Sequence, residues 1–145
     1  MSRSTRSKFM LLISGVFAFY AVLWGIAPYE SINFPSRLIL DSLDWPIDNL
    51  STPLDKNTML LSAIGAGLLG AIAVFLGGII APAIKEGNKS IMHTAIFAML
   101  VWYVIDGAGS IATGVVSNVI FNSVYLALIL TPLLWKNKEE EDAPA

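Results

Sequence analysis

The sequence predicts an all-α integral membrane protein with four transmembrane helices, and three observations carry that prediction. The chain of 145 residues is 55% hydrophobic and only 14% charged, with a mean hydropathy of +0.67. No charged side chain occurs between residues 57 and 84, and Asp106 is the one charge between residues 90 and 135. Uncharged stretches of this length suit helices of about 20 residues that cross a bilayer. A soluble domain this small needs far more polar surface, because small domains bury a smaller fraction of their area.

The first span is expected over residues 9–27. Arg3, Arg6 and Lys8 precede it, as in a signal peptide. The apolar run is longer than a typical signal core, and it ends in Trp24, Gly25, Pro28 and Tyr29 with no small-x-small cleavage site, so a retained span is expected. Residues 29–57 form a loop outside the membrane, with Glu30, Asp41, Asp44, Asp48 and Asp55 against Arg37 and Lys56. Two readings of its centre stay open. One is a short helix over residues 36–43, laying Ile39, Leu40 and Leu43 on the membrane surface or bundle mouth and stopped by Pro46. The other is an irregular loop with a few packed side chains. Asp41, Asp44 and Asp48 are spaced as exposed residues of an interfacial segment.

The second span is expected over residues 58–83. Thr52 is its expected cap, with Pro53 at the first helical position and Asp55 near the positive end of the helix. Gly77-Gly78, followed by Pro82, marks a bend. The 46 residues from 90 to 135 are too many for one span and suit a hairpin of residues 90–112 and 115–135. Pro132 is expected to bend the last turns, with Thr131 helping to satisfy the freed carbonyls. Residues 136–145 form a charged tail, and the whole chain is a single domain.

Orientation follows from the basic residues. Arg3, Arg6, Lys8, Lys85, Lys89, Lys136 and Lys138 fall on one side and Arg37 and Lys56 on the other, so both termini are expected in the cytoplasm, with the structured loop outside. Tyr20, Trp24, Tyr29, Trp102, Tyr103 and Trp135 sit near span ends, as an aromatic belt does. A bacterial inner membrane is the expected location. Asn49-Leu50-Ser51 also matches a glycosylation sequon, which has no meaning in a bacterial host.

The chemistry is sparse. The chain has no cysteine, which excludes disulfides, thiolate catalysis and iron–sulfur clusters. Its nine basic residues form no patch, so no nucleic-acid partner is expected. With a single histidine, His93, more than three helical turns from Asp106, no metal site is visible. Nothing resembles a nucleophile, base and acid set, so the chain is expected not to be an enzyme, and no cofactor is named.

Two groups of residues stand out. Asp106, Ser110, Asn118 and Asn122 are candidates for binding a substrate or ion. A carboxylate in hydrocarbon is expensive and faces protein, a cavity or the headgroups. Asn118 and Asn122 share one face of the fourth span, and Ser110 lies one turn from Asp106. If the hairpin turns at Thr113-Gly114, Asp106 is buried about two thirds of the way across and near the amides. If it turns at residues 106–110, Asp106 lies at the outer headgroups, a picture that Trp102 and Tyr103 favour.

The second group is the small-residue face of Ala66, Gly70, Ala73 and Gly77, a helix–helix interface that serves either the bundle itself or another membrane subunit. Together these features make the expected function that of a non-catalytic accessory or scaffold subunit of a larger membrane complex. The expected partners are membrane lipids and either other integral membrane subunits or a second copy. The alternative is a small oligomeric proton- or cation-coupled transporter using Asp106 with Asn118 and Asn122. A third is a lipid or apolar cofactor held among aromatics such as Phe17, Trp24 and Phe97.

Overall fold

The computed structural model describes residues 1–48 and 50–135. The sequon asparagine, Asn49, and the tail of residues 136–145 lie outside the described residues. The elements are α1 (Arg3–Gly25), α2 (Phe34–Leu43), α3 (Lys56–Phe75), a π-helical turn (Leu76–Ile80), α4 (Ala81–Glu86), α5 (Lys89–Ala112) and α6 (Val116–Leu134). Among the described residues there is no strand. Four helical stretches are long and apolar enough to cross a membrane: Arg3–Gly25, Lys56–Glu86, Lys89–Ala112 and Val116–Leu134.

The helix ends differ from the expected ones for local reasons. α1 begins well before the apolar run, because Ser2 caps it by accepting the Thr5 N–H at 3.2 Å. The start of α3 is a correction. Thr52 and Pro53 lie outside the helix, and Asp55 is the cap, accepting the amides of Asn57 at 2.9 Å and Thr58 at 3.1 Å as well as the Thr58 hydroxyl. A carboxylate with a serviceable donor three residues on outcompetes a threonine hydroxyl at this position. The Thr58 hydroxyl, with the Thr58 and Asn57 amides behind it, holds the Asp55 carboxyl below its ordinary range. The folded pKa is the lower one, so the cap contributes above the unfolded carboxylate range and fades as pH falls through the folded value.

The expected bend at Gly77-Gly78 takes the form of a π turn. The Ala81 N–H bonds back to the Leu76 carbonyl, five residues earlier. Pro82 has no N–H to donate to residue 78, and its ring crowds that carbonyl. A widened turn relieves both problems without ending the helix. The stretch Lys56–Glu86 has 31 residues, roughly 46 Å at 1.5 Å per residue. It exceeds the hydrocarbon thickness of about 30 Å, so its ends project or it tilts.

α1 is the central helix. It packs on α3, the π turn, α4, α6 and α2. Met10, Ile13 and Phe17 of α1 join Ala73, Leu76, Ile80, Ile84, Ile129 and Leu133 in one core. The small-residue face of α3 is turned toward α1. Ala66 and Ala73 are buried, Ala66 lies 3.4 Å from where a side chain on Gly25 would begin, and Gly70 faces Ala21. Two glycines permit close approaches that a methyl would block. A Cβ on Gly65 would come within 2.4 Å of the Trp24 ring, and one on Gly77 within 2.6 Å of the Ser14 hydroxyl. That hydroxyl donates to the Ala73 carbonyl at 2.7 Å, tying α1 to the turn before the π segment. Tyr125 of α6 meets Phe17 edge-on at 5.4 Å and Tyr20 at 6.1 Å between ring centroids.

Arg6 is a residue whose role the sequence did not reveal. It is only 2% exposed, and it donates from Nε to the Pro132 carbonyl at 2.8 Å and from a terminal nitrogen to the Leu133 carbonyl at 3.2 Å. These carbonyls end α6 and have no helical partner of their own. A guanidinium there also offsets the negative pole of the helix. Thr131 does not fill the role expected of it. Its hydroxyl donates to the Ala127 carbonyl at 2.7 Å, whereas the carbonyl that Pro132 leaves free is that of residue 128. With Arg3 packed against Gly87, the starts of α1 and α5 and the end of α6 share one end of the bundle.

At the other end lies α2. The short-helix reading holds, two residues longer at its start than expected and with Pro35 in its first turn. It is pinned by the Ser36 hydroxyl to the Leu23 carbonyl at 2.6 Å, and its approach by the Asn33 amide to the Ala27 carbonyl at 2.9 Å. The Ser117 hydroxyl of α6 donates to the Leu43 carbonyl. Asp41 is a correction: it is buried at 5% exposure and accepts the Asp48 N–H at 3.2 Å, because α2 turns this side toward the bundle.

Two outcomes follow from the α1–α3 seam. Gly77→Val is expected to lower stability in detergent by about 1–3 kcal/mol, as overpacking does. Gly70→Ala, which meets Ala21 at ordinary contact distance, leaves it nearly unchanged. Thermal unfolding of the two variants side by side checks this, and equal midpoints would remove the seam from the account.

Candidate functional site

Gly114 decides between the two turns open to the hairpin. Its φ of 83° makes it the left-handed residue that ends α5, and the Val115 N–H closes the turn on the Ser110 carbonyl at 2.9 Å. The hairpin therefore turns at Thr113-Gly114. Gly107, Gly109 and Ser110 are helical, and roughly 9 Å of helix separates Asp106 from the end of α5. Tyr103 does more than line a membrane face. Its hydroxyl lies 2.8 Å from that of Ser123 and joins the two arms of the hairpin.

The four candidate residues converge on one carboxylate oxygen. Asp106 Oδ1 accepts from Asn122 Nδ2 at 2.6 Å, from Asn118 Nδ2 at 2.8 Å and from the Ser110 hydroxyl at 3.2 Å. Asn118 Nδ2 also lies 2.8 Å from Ser110 Oγ, and that hydroxyl reaches the Asp106 carbonyl at 2.9 Å. Helical spacing explains the convergence. Asp106 and Ser110 are one turn apart on α5, Asn118 and Asn122 one turn apart on α6, and the tight turn sets the pairs face to face. Asn122 is buried at 5% exposure, and Asp106 is half-buried.

This arrangement supplies donors to a charge that hydrocarbon would otherwise strand. It also leaves the carboxylate asymmetric. Oδ1 carries three hydrogen bonds, and Oδ2 has none among the described residues. Both amides turn their NH2 groups toward the carboxylate, so the acidic oxygen left to take up a proton is Oδ2. Among the described residues no group of three His, Asp or Glu side chains gathers as a metal site. His93 is exposed on the opposite half of α5. Of the aromatics available to an apolar ligand, Phe17 and Tyr20 pack on Tyr125, and Trp24 packs on Tyr20 and against Gly65, while Phe19, Phe97 and Phe121 are exposed.

Comparison with known proteins finds no matching family, curated protein or solved structure.

The carboxylate geometry separates two substitutions. Asp106→Asn keeps an acceptor oxygen for both asparagine amides, so the hairpin is expected to fold with little loss. Asp106→Ala removes two interhelical bonds and the Ser110 contact. It is expected to destabilise by about 1–3 kcal/mol, taking roughly 0.6–1.7 kcal/mol per bond in membranes. Denaturant titration in detergent reads the difference. If the two variants are equally stable, the donors do not depend on Oδ1.

Proposed function

We propose that the chain is a non-catalytic accessory or scaffold subunit of a larger membrane protein complex. It sits in a bacterial inner membrane with both ends in the cytoplasm. The orientation rests on the positive-inside rule, since Arg3, Arg6, Lys85 and Lys89 cluster at one end of the bundle. Contact rather than chemistry is favoured by the sparse set of reactive groups and above all by the segment around α2.

That segment is the observation that carries the reading. The side chains of Asn33, Ser36 and Ser117 fix its backbone to the bundle. On its outer side, Phe34 is 75% exposed and Trp45 68%, with Tyr29, Ile32, Leu38 and Ile47 also exposed. Apolar side chains held on a fixed support beyond the spans are what a docking surface requires. The small-residue face of α3 is less suited to a partner than its composition suggests, because α1 occupies it.

A photo-crosslinker at position 45 or 34 tests the reading in the native membrane. It is expected to yield a discrete protein adduct, whereas one at Val104, on the outward face of α5, yields lipid adducts. Lipid adducts at all three positions would reduce the segment to an interfacial anchor and reject the proposal.

The second reading is a proton- or cation-coupled transporter, and the free Oδ2 of Asp106 favours it. Asp106→Asn then abolishes flux in proteoliposomes while the folded protein persists. Undiminished flux in that variant excludes the carboxylate from any transport cycle.

A further inference from the structure

The basic end of the bundle holds a cavity of about 480 Å³ between the start of α1, the first half of α5 and the end of α6. Its wall changes character with depth. Lys89 and His93 stand one turn apart on α5, both exposed. Met92 and Ile96 of the same helix line it alongside Leu133 of α6, and Trp135 stands at the rim. The Lys89 ammonium and the His93 imidazole give way to an apolar surface that runs toward the hydrocarbon. That is the polarity of an amphiphile with an anionic head.

Arg6 makes the cavity hospitable to an anion. The end of α6 carries the negative pole of that helix, which by itself repels phosphate. The guanidinium donates to the Pro132 and Leu133 carbonyls and offsets that pole. On the facing wall, the positive end of α5 begins at Lys89. No carboxylate is among the described residues lining the space. The electrostatics of the described walls therefore point one way, at the depth where headgroups lie.

We propose that this cavity binds an anionic phospholipid. Lys89 and His93 meet its phosphate, and one acyl chain lies along Met92, Ile96 and Leu133. Free phosphate fits less well, since it would leave the apolar part of the wall unmatched. Basic pockets between membrane helices recognise anionic headgroups by this combination of charge and depth. The inference rests on membrane placement and not on the contact surface around α2, so either can fail alone.

The test is native mass spectrometry of the full chain, delipidated in mild detergent and offered phosphatidylglycerol or phosphatidylcholine. The wild-type chain is expected to retain phosphatidylglycerol preferentially. Lys89→Gln with His93→Gln is expected to lower that retention at least fivefold, the factor that roughly 1 kcal/mol for Lys89 near the surface represents. Lys85→Gln is exposed at the same end but outside the cavity, and it leaves retention unchanged. Both side chains of the double variant are exposed, so folding is preserved, and circular dichroism verifies it. Equal retention of the two lipids overturns the proposal. So does a loss in Lys85→Gln equal to that in the double variant, or displacement of the lipid by excess inorganic phosphate alone.

Discussion

A carboxylate in a helix that crosses hydrocarbon must find its donors inside the protein, and the α5–α6 hairpin is organised around that requirement. Oδ1 of Asp106 takes donors from Ser110, Asn118 and Asn122. The two amides reach it only because the chain reverses at Gly114, in a conformation that a side chain resists. Turn, register and polar cluster are thus one constraint. Moving the reversal toward residue 106 would separate the amides from the carboxylate and leave each polar group alone in lipid. Each of these groups would then lose its partner, so the hairpin has little freedom to adopt another register.

The rest of the bundle is held by a different force. Between helices in lipid there is no hydrophobic drive, and association depends on close van der Waals contact. α1 and α3 achieve it through small residues: Ala66 beside Gly25, Gly70 beside Ala21, Gly77 beside Ser14 and Gly65 beneath Trp24. The Ser14 hydroxyl bonds the backbone at Ala73, where the regular ladder is about to widen into the π turn. Close packing and polar satisfaction therefore coincide where Pro82 disturbs the helix.

How much of this was legible follows from the range of each interaction. The spans were legible because lipid imposes a length and forbids charge. α2 was legible as one of two readings, from its aliphatic and acidic spacing and from Pro46, and its hydrogen bonds to the bundle decided between them. The clustering of Asp106 with the amides was legible as a consequence of one of two turns, since each pair is fixed by helical spacing; choosing the turn required the backbone at Gly114. Other features hung on longer-range or competing contacts. Arg6 meets carbonyls 126 and 127 residues away, and no local pattern announces such a partner. The burial of Asp41 depends on which side of α2 faces the bundle. At the start of α3 two adequate caps compete, and Asp55 prevails because Thr58 adds a side-chain donor. Gly77-Gly78 announced a bend without saying that it would be a π turn.

The two ends of the bundle end up chemically opposed. At one, α2 and its flanks close over the helices and present aromatic and aliphatic side chains. At the other, Arg3, Arg6 and Lys89 gather around the start of α5 and the end of α6. The basic end suits anionic headgroups, and the apolar side chains around α2 suit the membrane interface as well as a protein surface. The Asp106 cluster lies on the α2 side of the hairpin, two turns from the reversal that Ser117 ties to Leu43. A displacement of α2 would pull on α6 one residue from Asn118. In this fold, the α2 segment and the half-buried carboxylate are joined through Ser117, one residue before Asn118.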